Sequence, residues 1–143
     1  MIESREQLDR AISLSLYPDA GGSRGVGYSR ANMYGRDFDP YRVGAAKDIL
    51  LVAQIEHIRA VEQLDAILSH PRLDAIMVGP YDLSGSMGLT GQFDHPDFVA
   101  VMDSINEACK RHNMPMGNHV VQPEPERLAK CIADGYRFIA YGI

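Results

Sequence analysis

Short apolar runs alternate along this chain with longer stretches whose apolar residues recur at helical spacing. Ser4-Arg5-Glu6-Gln7 reads as a capping box: Ser4 caps a helix and Gln7 reaches back to the chain before it. The helix it opens carries Leu8, Ala11, Ile12 and Leu16 on one stripe and ends at Tyr17-Pro18-Asp19-Ala20-Gly21-Gly22. From about Gly21 to Tyr41 the pattern is irregular, and a structureless loop of that length is expected to serve function or interaction. Ile49 to Glu56 is a nearly continuous apolar run of strand length, the pattern of a parallel strand covered on both faces.

The alternation continues to the end. His57 to Ser69 reads as one helix, with Ile58, Val61, Leu64 and Leu68 facing the core. Asp74 to Gly79 is a second buried strand, running into Gly79-Pro80-Tyr81-Asp82 and a glycine-rich loop. Asp94 is placed to cap a helix with Pro96 in its first turn and a stripe of Phe98, Val101, Met102, Ile105, Cys109 and His112. Met114 to Val121 is a third strand, Pro125 to Ala133 a helix closed by Gly135, and Arg137 to Tyr141 a fourth strand.

Strands alternating with helices mean an α/β fold built from parallel crossovers. A closed barrel and an open, doubly wound sheet satisfy that pattern equally. Met1-Ile2 reads as the last step of a strand, and the sequence stops at Gly142-Ile143 just as a strand ends. Those ends lead to the expectation that about half of a larger repeat fold lies outside the chain.

Composition narrows the function classes. The 143 residues make one domain at most, with 45% apolar and 23% charged residues, ordinary values for a globular protein. A net charge of −5, with basic residues scattered, argues against nucleic acid, which needs clustered Lys and Arg. No apolar run reaches the roughly 18 residues a membrane helix needs. Met1 to Glu6 is too polar for a secretory signal, so a cytoplasmic location is expected. Cys109 and Cys131 sit inside helical patterns, without a C-x-x-C pair, and read as small buried hydrophobes.

In a β/α architecture, chemistry sits at the carboxyl ends of the strands. Glu56 closes the first full strand and Asp82 follows the second, so two carboxylates can converge, with Gln54 on the same side as Glu56. Paired carboxylates repel unless a proton or cation lies between them. An oxygen-only pair favours Mg²⁺, Mn²⁺ or a similar hard ion over zinc. The competing reading makes Glu56 a first-turn acid of the next helix, favoured by the helix dipole.

The segment Gly79-Pro80-Tyr81-Asp82-Leu83-Ser84-Gly85-Ser86-Met87-Gly88 resembles the G-P-x-D-L-S-x-S-x-G motif of the HpcH/HpaI aldolase/citrate lyase family, metal-dependent class II pyruvate aldolases. Val52 to Glu56 resembles that family's V-x-Q-I-E strand. Tyr17-Pro18 with Arg24-Gly25-Val26-Gly27, and Gly91 to His95-Pro96, resemble two further family segments, so the similarity runs through essentially the whole chain.

The resemblance implies a partial (β/α)8 TIM barrel, with residues 1–143 forming one incomplete domain from the end of strand four to strand eight. It implies Glu56 and Asp82 as metal ligands and Gln54 beside the metal. Gly79, Pro80 and Tyr81 match the turn that holds a keto-acid carboxylate, although Pro80 has no N–H to give. The expected cofactor is Mg²⁺ or Mn²⁺, with Co²⁺ a further candidate. The expected reaction is reversible aldol cleavage of a 4-hydroxy-2-oxo acid or 2-keto-3-deoxy sugar acid to pyruvate and an aldehyde, in a homo-oligomer when full length. The family's catalytic His, its substrate-gripping Arg and its terminal helix have no counterpart here, so the catalytic residues stay unassigned. Citrate or acyl-CoA lyase chemistry on the same site, and an inactive truncated fragment, are the alternatives.

Among the histidines, His57 and His70 read as surface or capping residues, and His95 and His112 as structural. His119, near the carboxyl end of a strand, is the one expected to touch substrate.

Overall fold

A computed structural model describes residues 1–142; Ile143, and with it the expected chain end at Gly142-Ile143, lies outside the described residues. Four strands form one parallel sheet in the order of the sequence: β1 (Val52–Ile55), β2 (Ala75–Val78), β3 (Met116–Val120) and β4 (Phe138–Tyr141). A doubly wound sheet reverses its strand order at a switch point. This one does not among the described strands, and crossovers of the usual right-handed kind between sequential neighbours put the connecting helices on one face. The arrangement is that of a barrel wall.

The core lies between that wall and its helices. Ala53, Ile55, Ile76, Val78 and Met116 of the strands pack with Leu8 and Ile12 of α1 (Arg5–Ser15), Leu64 and Ile67, Leu83, and Phe98 and Ile105. Within this chain β1 alternates exposed and buried residues, with Val52, on the face away from the helices, 46% exposed. Its apolar run extends into Ile49-Leu50-Leu51, which approaches the sheet without joining it, and Leu50 is largely exposed. Ile2 does continue the ladder, donating its N–H to the Gln54 carbonyl at 3.0 Å.

Helix α1 starts as expected: the Gln7 N–H donates to Ser4 Oγ at 3.3 Å and Gln7 Oε1 accepts from the Glu3 N–H at 2.9 Å. The irregular stretch holds more structure than its pattern announces. A 3₁₀ turn spans Arg30–Gly35, and α2 (Phe38–Asp48) follows. Only Ala45 of α2 is buried, so no apolar stripe marks it, and Pro40 is tolerated in the first turn. Asn32, fully buried, organises the loop before it: Oδ1 accepts from the Ser29 and Gly35 N–H groups and Nδ2 donates to the Gly27 carbonyl. Arg24 lies over the Tyr17 ring at 4.5 Å and donates to Tyr41 Oη at 3.2 Å, pinning the loop to the end of α1.

The single helix expected over His57–Ser69 is two short ones, α3 (Ile58–Glu62) and α4 (Leu64–Leu68), separated at Gln63. The glycine-rich segment after β2 is helix α5 (Pro80–Ser86), with Pro80 at its first position. Helix α6 (Pro96–Arg111) is capped by His95, whose Nδ1 accepts from the Asp97 N–H at 3.2 Å, rather than by Asp94. Helix α7 (Pro125–Ala133) ends at Asp134 with Gly135 at φ +90°, as its sequence predicts. Both cysteines are buried and free. Among the described residues no helix is long and apolar enough to cross a membrane.

Candidate active site at the carboxyl ends of β1 to β3

Strand register assembles the site. Gln54 pairs with Met77, Met77 with Gly117, and Gly117 with Phe138, one row on the face away from the helices. Side chains alternate along a strand, so the next row toward the carboxyl ends is Glu56, Gly79, His119 and Ala140. Glu56 is not a first-turn acid: His57 intervenes as the cap of α3, its Nδ1 accepting from the Arg59 N–H at 3.2 Å. Asp82 is the acid that occupies a first turn, in α5, where the orphan N–H groups favour negative charge.

The Glu56 side chain, 13% exposed, leans across Gly79; a Cβ on residue 79 would stand 2.6 Å from Glu56 Oε2 and 3.5 Å from Gln54 Nε2. Glycine is therefore required by proximity, since its φ of −102° is open to other residues. The Gly79 N–H is already engaged, donating to the Ile55 carbonyl at 3.1 Å, so this residue contributes space rather than a donor. The Met1 α-ammonium lies 3.8 Å from Glu56 Oε1. Asp82 is exposed, and its carboxylate has no hydrogen bond or ion pair among the described residues.

Two serines hold the carboxylate-bearing elements together, a role the pattern did not assign. Ser86 Oγ accepts from the Ile58 N–H at 2.9 Å and donates to the Leu83 carbonyl at 2.7 Å, tying α5 to the turn that follows Glu56. Ser84, fully buried, donates to the Tyr81 carbonyl and accepts from the Gly91 N–H at 3.0 Å. Hydroxyls inside a short helix are poor helix formers unless they bond backbone, and their spacing after Asp82 was the available signal.

Tyr81 turns aside, packing edge-on against Phe93 with ring centroids 4.9 Å apart. It lines a cavity of about 270 Å³ with Phe98 and Met102 of α6, His119, and Cys131 of α7. His119 is half-buried, and its Nε2 lies 3.1 Å from the Gly142 carbonyl oxygen. His112 pairs instead with Asp65, at 2.8 Å, and with Arg111 holds that carboxyl below its ordinary pKa.

The donor set can be tested against a divalent ion. Among the described residues no three of His, Cys, Asp and Glu gather. Two carboxylates and an amide are the oxygen donors that a hard cation takes.

A family model described as HpcH/HpaI aldolase/citrate lyase matches residues 1–143. The chain belongs to this family. It is 34% identical to a 2-keto-3-deoxy-L-rhamnonate aldolase of Salmonella paratyphi B, over 100% of this chain and 53% of the relative. A 5-keto-4-deoxy-D-glucarate aldolase of Shigella dysenteriae is likewise 34% identical, over 99% and 54%. A crystal structure of a family protein from Burkholderia cenocepacia superposes with a TM-score of 0.90 at 28% identity, covering 99% of this chain and 56% of that one. The chain thus spans about half the length of the relatives it matches, and its fold is that of a partial TIM barrel.

Proposed function

We propose that this chain supplies the later half of the barrel of a divalent-metal-dependent aldolase, as one domain running from the end of strand four to strand eight. The reaction is reversible cleavage of a 4-hydroxy-2-oxo acid or 2-keto-3-deoxy sugar acid to pyruvate and an aldehyde. The observation that carries this reading is the shared row of Glu56, Gly79 and His119 at the strand ends, with Asp82 in the turn of α5 that follows Gly79. The sugar-acid aldolase names of the relatives support the substrate class.

In this reading Glu56 and Asp82 hold Mg²⁺ or Mn²⁺, with Co²⁺ a further candidate, and Gln54 stands beside it. The bound cation supplies Lewis-acid stabilisation of charge developing on the keto-acid oxygens, several kcal/mol in comparable sites. The chain's own residues fix geometry: Ser86 holds α5 against the turn after Glu56, and Gly79 leaves room for the carboxylate to turn inward. The Tyr81 N–H, in a first turn where helix geometry provides no acceptor, meets the substrate carboxylate beside Gly79 and Pro80. His119 faces the aldehyde side. The working protein is a cytoplasmic homo-oligomer.

The test is pyruvate release from 4-hydroxy-2-oxo acids with Mn²⁺, for the chain alone and for the barrel completed by the earlier strands, the latter with and without Glu56→Gln or Asp82→Asn. Wild-type release that either variant abolishes is the expected result. Near-normal activity in either variant overturns the metal assignment, and no release by the wild type favours an inert fragment.

A further inference from the structure

We propose that Ser86 is the positioning residue of the carboxylate pair, fixing Glu56 relative to Asp82 and with it the preference among divalent ions. This rests on the metal assignment above. The two carboxylates stand on separate segments, and those segments are tied together twice. Ahead of them, the Gly79 N–H donates to the Ile55 carbonyl at 3.1 Å. Beyond them, Ser86 Oγ accepts from the Ile58 N–H at 2.9 Å. Glu56 is thus bracketed by residues 55 and 58, and Asp82 by residues 79 and 86.

Only the second tie depends on a side chain. The Gly79 bond joins backbone to backbone and survives any substitution except proline. Ser86 makes the one side-chain hydrogen bond, among the described residues, between α5 and the segment from Glu56 through α3. Its hydroxyl proton goes to the Leu83 carbonyl at 2.7 Å, which leaves the oxygen facing Ile58 as an acceptor. Ile58 opens α3, and a first-turn N–H has no acceptor within its own helix. Ser86 lies four residues after Asp82 and so on the same face of α5. Without its oxygen, the turn carrying Glu56 is held to the Asp82 segment at one end only.

Ion chemistry turns that slack into a measurable preference. Mg²⁺ demands near-ideal octahedral geometry at about 2.0–2.1 Å, whereas Ca²⁺ accepts irregular oxygen sets at about 2.3–2.6 Å. A loosened pair therefore loses Mg²⁺ before it loses Ca²⁺.

The experiment follows free Mn²⁺ by its EPR signal, with Mg²⁺ and Ca²⁺ as competitors. It uses the chain and the barrel completed by the earlier strands, and Glu56→Gln in each tests the metal assignment separately. Ser86→Ala should weaken Mn²⁺ and Mg²⁺ about tenfold, as loss of an outer-shell partner does, and Ca²⁺ by less. Ser86→Thr keeps the oxygen and should bind all three ions as the wild type does. Asn32→Ala, in the loop before α2, should lower the melting temperature and leave the affinities unchanged. Coupling is reciprocal, so Mg²⁺ should slow hydrogen exchange of the Ile58 amide in the wild type and not in Ser86→Ala.

Affinities in Ser86→Ala that match the wild type, or that fall equally for Mg²⁺ and Ca²⁺, would overturn the proposal and leave the metal pair standing. So would a Ser86→Thr variant that behaves as Ser86→Ala, or an Ile58 amide indifferent to Mg²⁺. A wild type that binds Mn²⁺ no better than Glu56→Gln in both forms would remove the metal assignment, and the proposal with it.

Discussion

Glu56 and Gly79 interlock across neighbouring strands: the carboxylate of one occupies space that any side chain on the other would need. A Cβ at residue 79 would lie 2.6 Å from Oε2 and 2.9 Å from Cβ of Glu56, closer than real contacts come. Gly79→Ala should leave the fold intact, because its backbone is in an ordinary region, and turn the carboxylate away. With Glu56 in the proposed role of metal ligand, a loss of Mn²⁺ affinity of about tenfold or more is expected, measured by titration calorimetry against an unchanged circular dichroism spectrum.

Asn32 carries a different kind of dependence. Its amide satisfies two backbone donors and one carbonyl from a fully buried position. Asn32→Ala leaves those groups without partners, at a cost of about 2 kcal/mol. Thermal unfolding should shift down by several degrees, and limited proteolysis should open the chain between residues 23 and 37 first.

Gly117 and Phe138 make a tighter pair than any other glycine contact on the sheet. A Cβ at 117 would sit 2.3 Å from the Phe138 ring, which lies across β3. Gly117→Ala should cost about 1–3 kcal/mol through overpacking. Adding Phe138→Leu should restore part of that loss. Urea midpoints for the two single variants and the double variant measure the coupling.

His70 links stability to pH. Burial, then the charges of Arg5 and Arg72, hold its pKa below the ordinary value of 6.5, outweighing Asp9. A lowered folded pKa means that the unfolded chain binds the proton more readily. The contribution is therefore present above about pH 6.5 and is lost as pH falls through that value. His70→Asn keeps an acceptor for the Arg72 N–H, which His70 Nδ1 now receives at 3.0 Å. The variant's melting temperature should decline less between pH 7 and pH 5 than that of the wild type.

The elements most legible in the sequence are those whose burial is one-sided and whose ends carry caps. α1, with Ser4 and its Leu8–Ile12 stripe, and α7, with Pro125 and Gly135, fall at their expected bounds. α2 was invisible because a helix that buries only Ala45 leaves no stripe to find. α5 was hidden by Gly85 and two serines, residues that suit loops until their hydroxyls are seen bonding backbone. His95 displaced Asp94 as a cap because its ring nitrogen reaches the same first-turn N–H that an aspartate would. For the candidate site, the strand-end rule located Glu56 and His119, and the register aligned them in one row. What no pattern could supply was the direction of Tyr81, which depends on Phe93, a residue in another loop.

The sequential order of the sheet also bears on how the chain is made. Each of β2, β3 and β4 pairs with the strand synthesised just before it, across one or two intervening helices. Pairings of this kind have short loops to close and suit a chain emerging amino end first. These four strands can therefore be laid down vectorially, each new unit docking on the edge finished just before it.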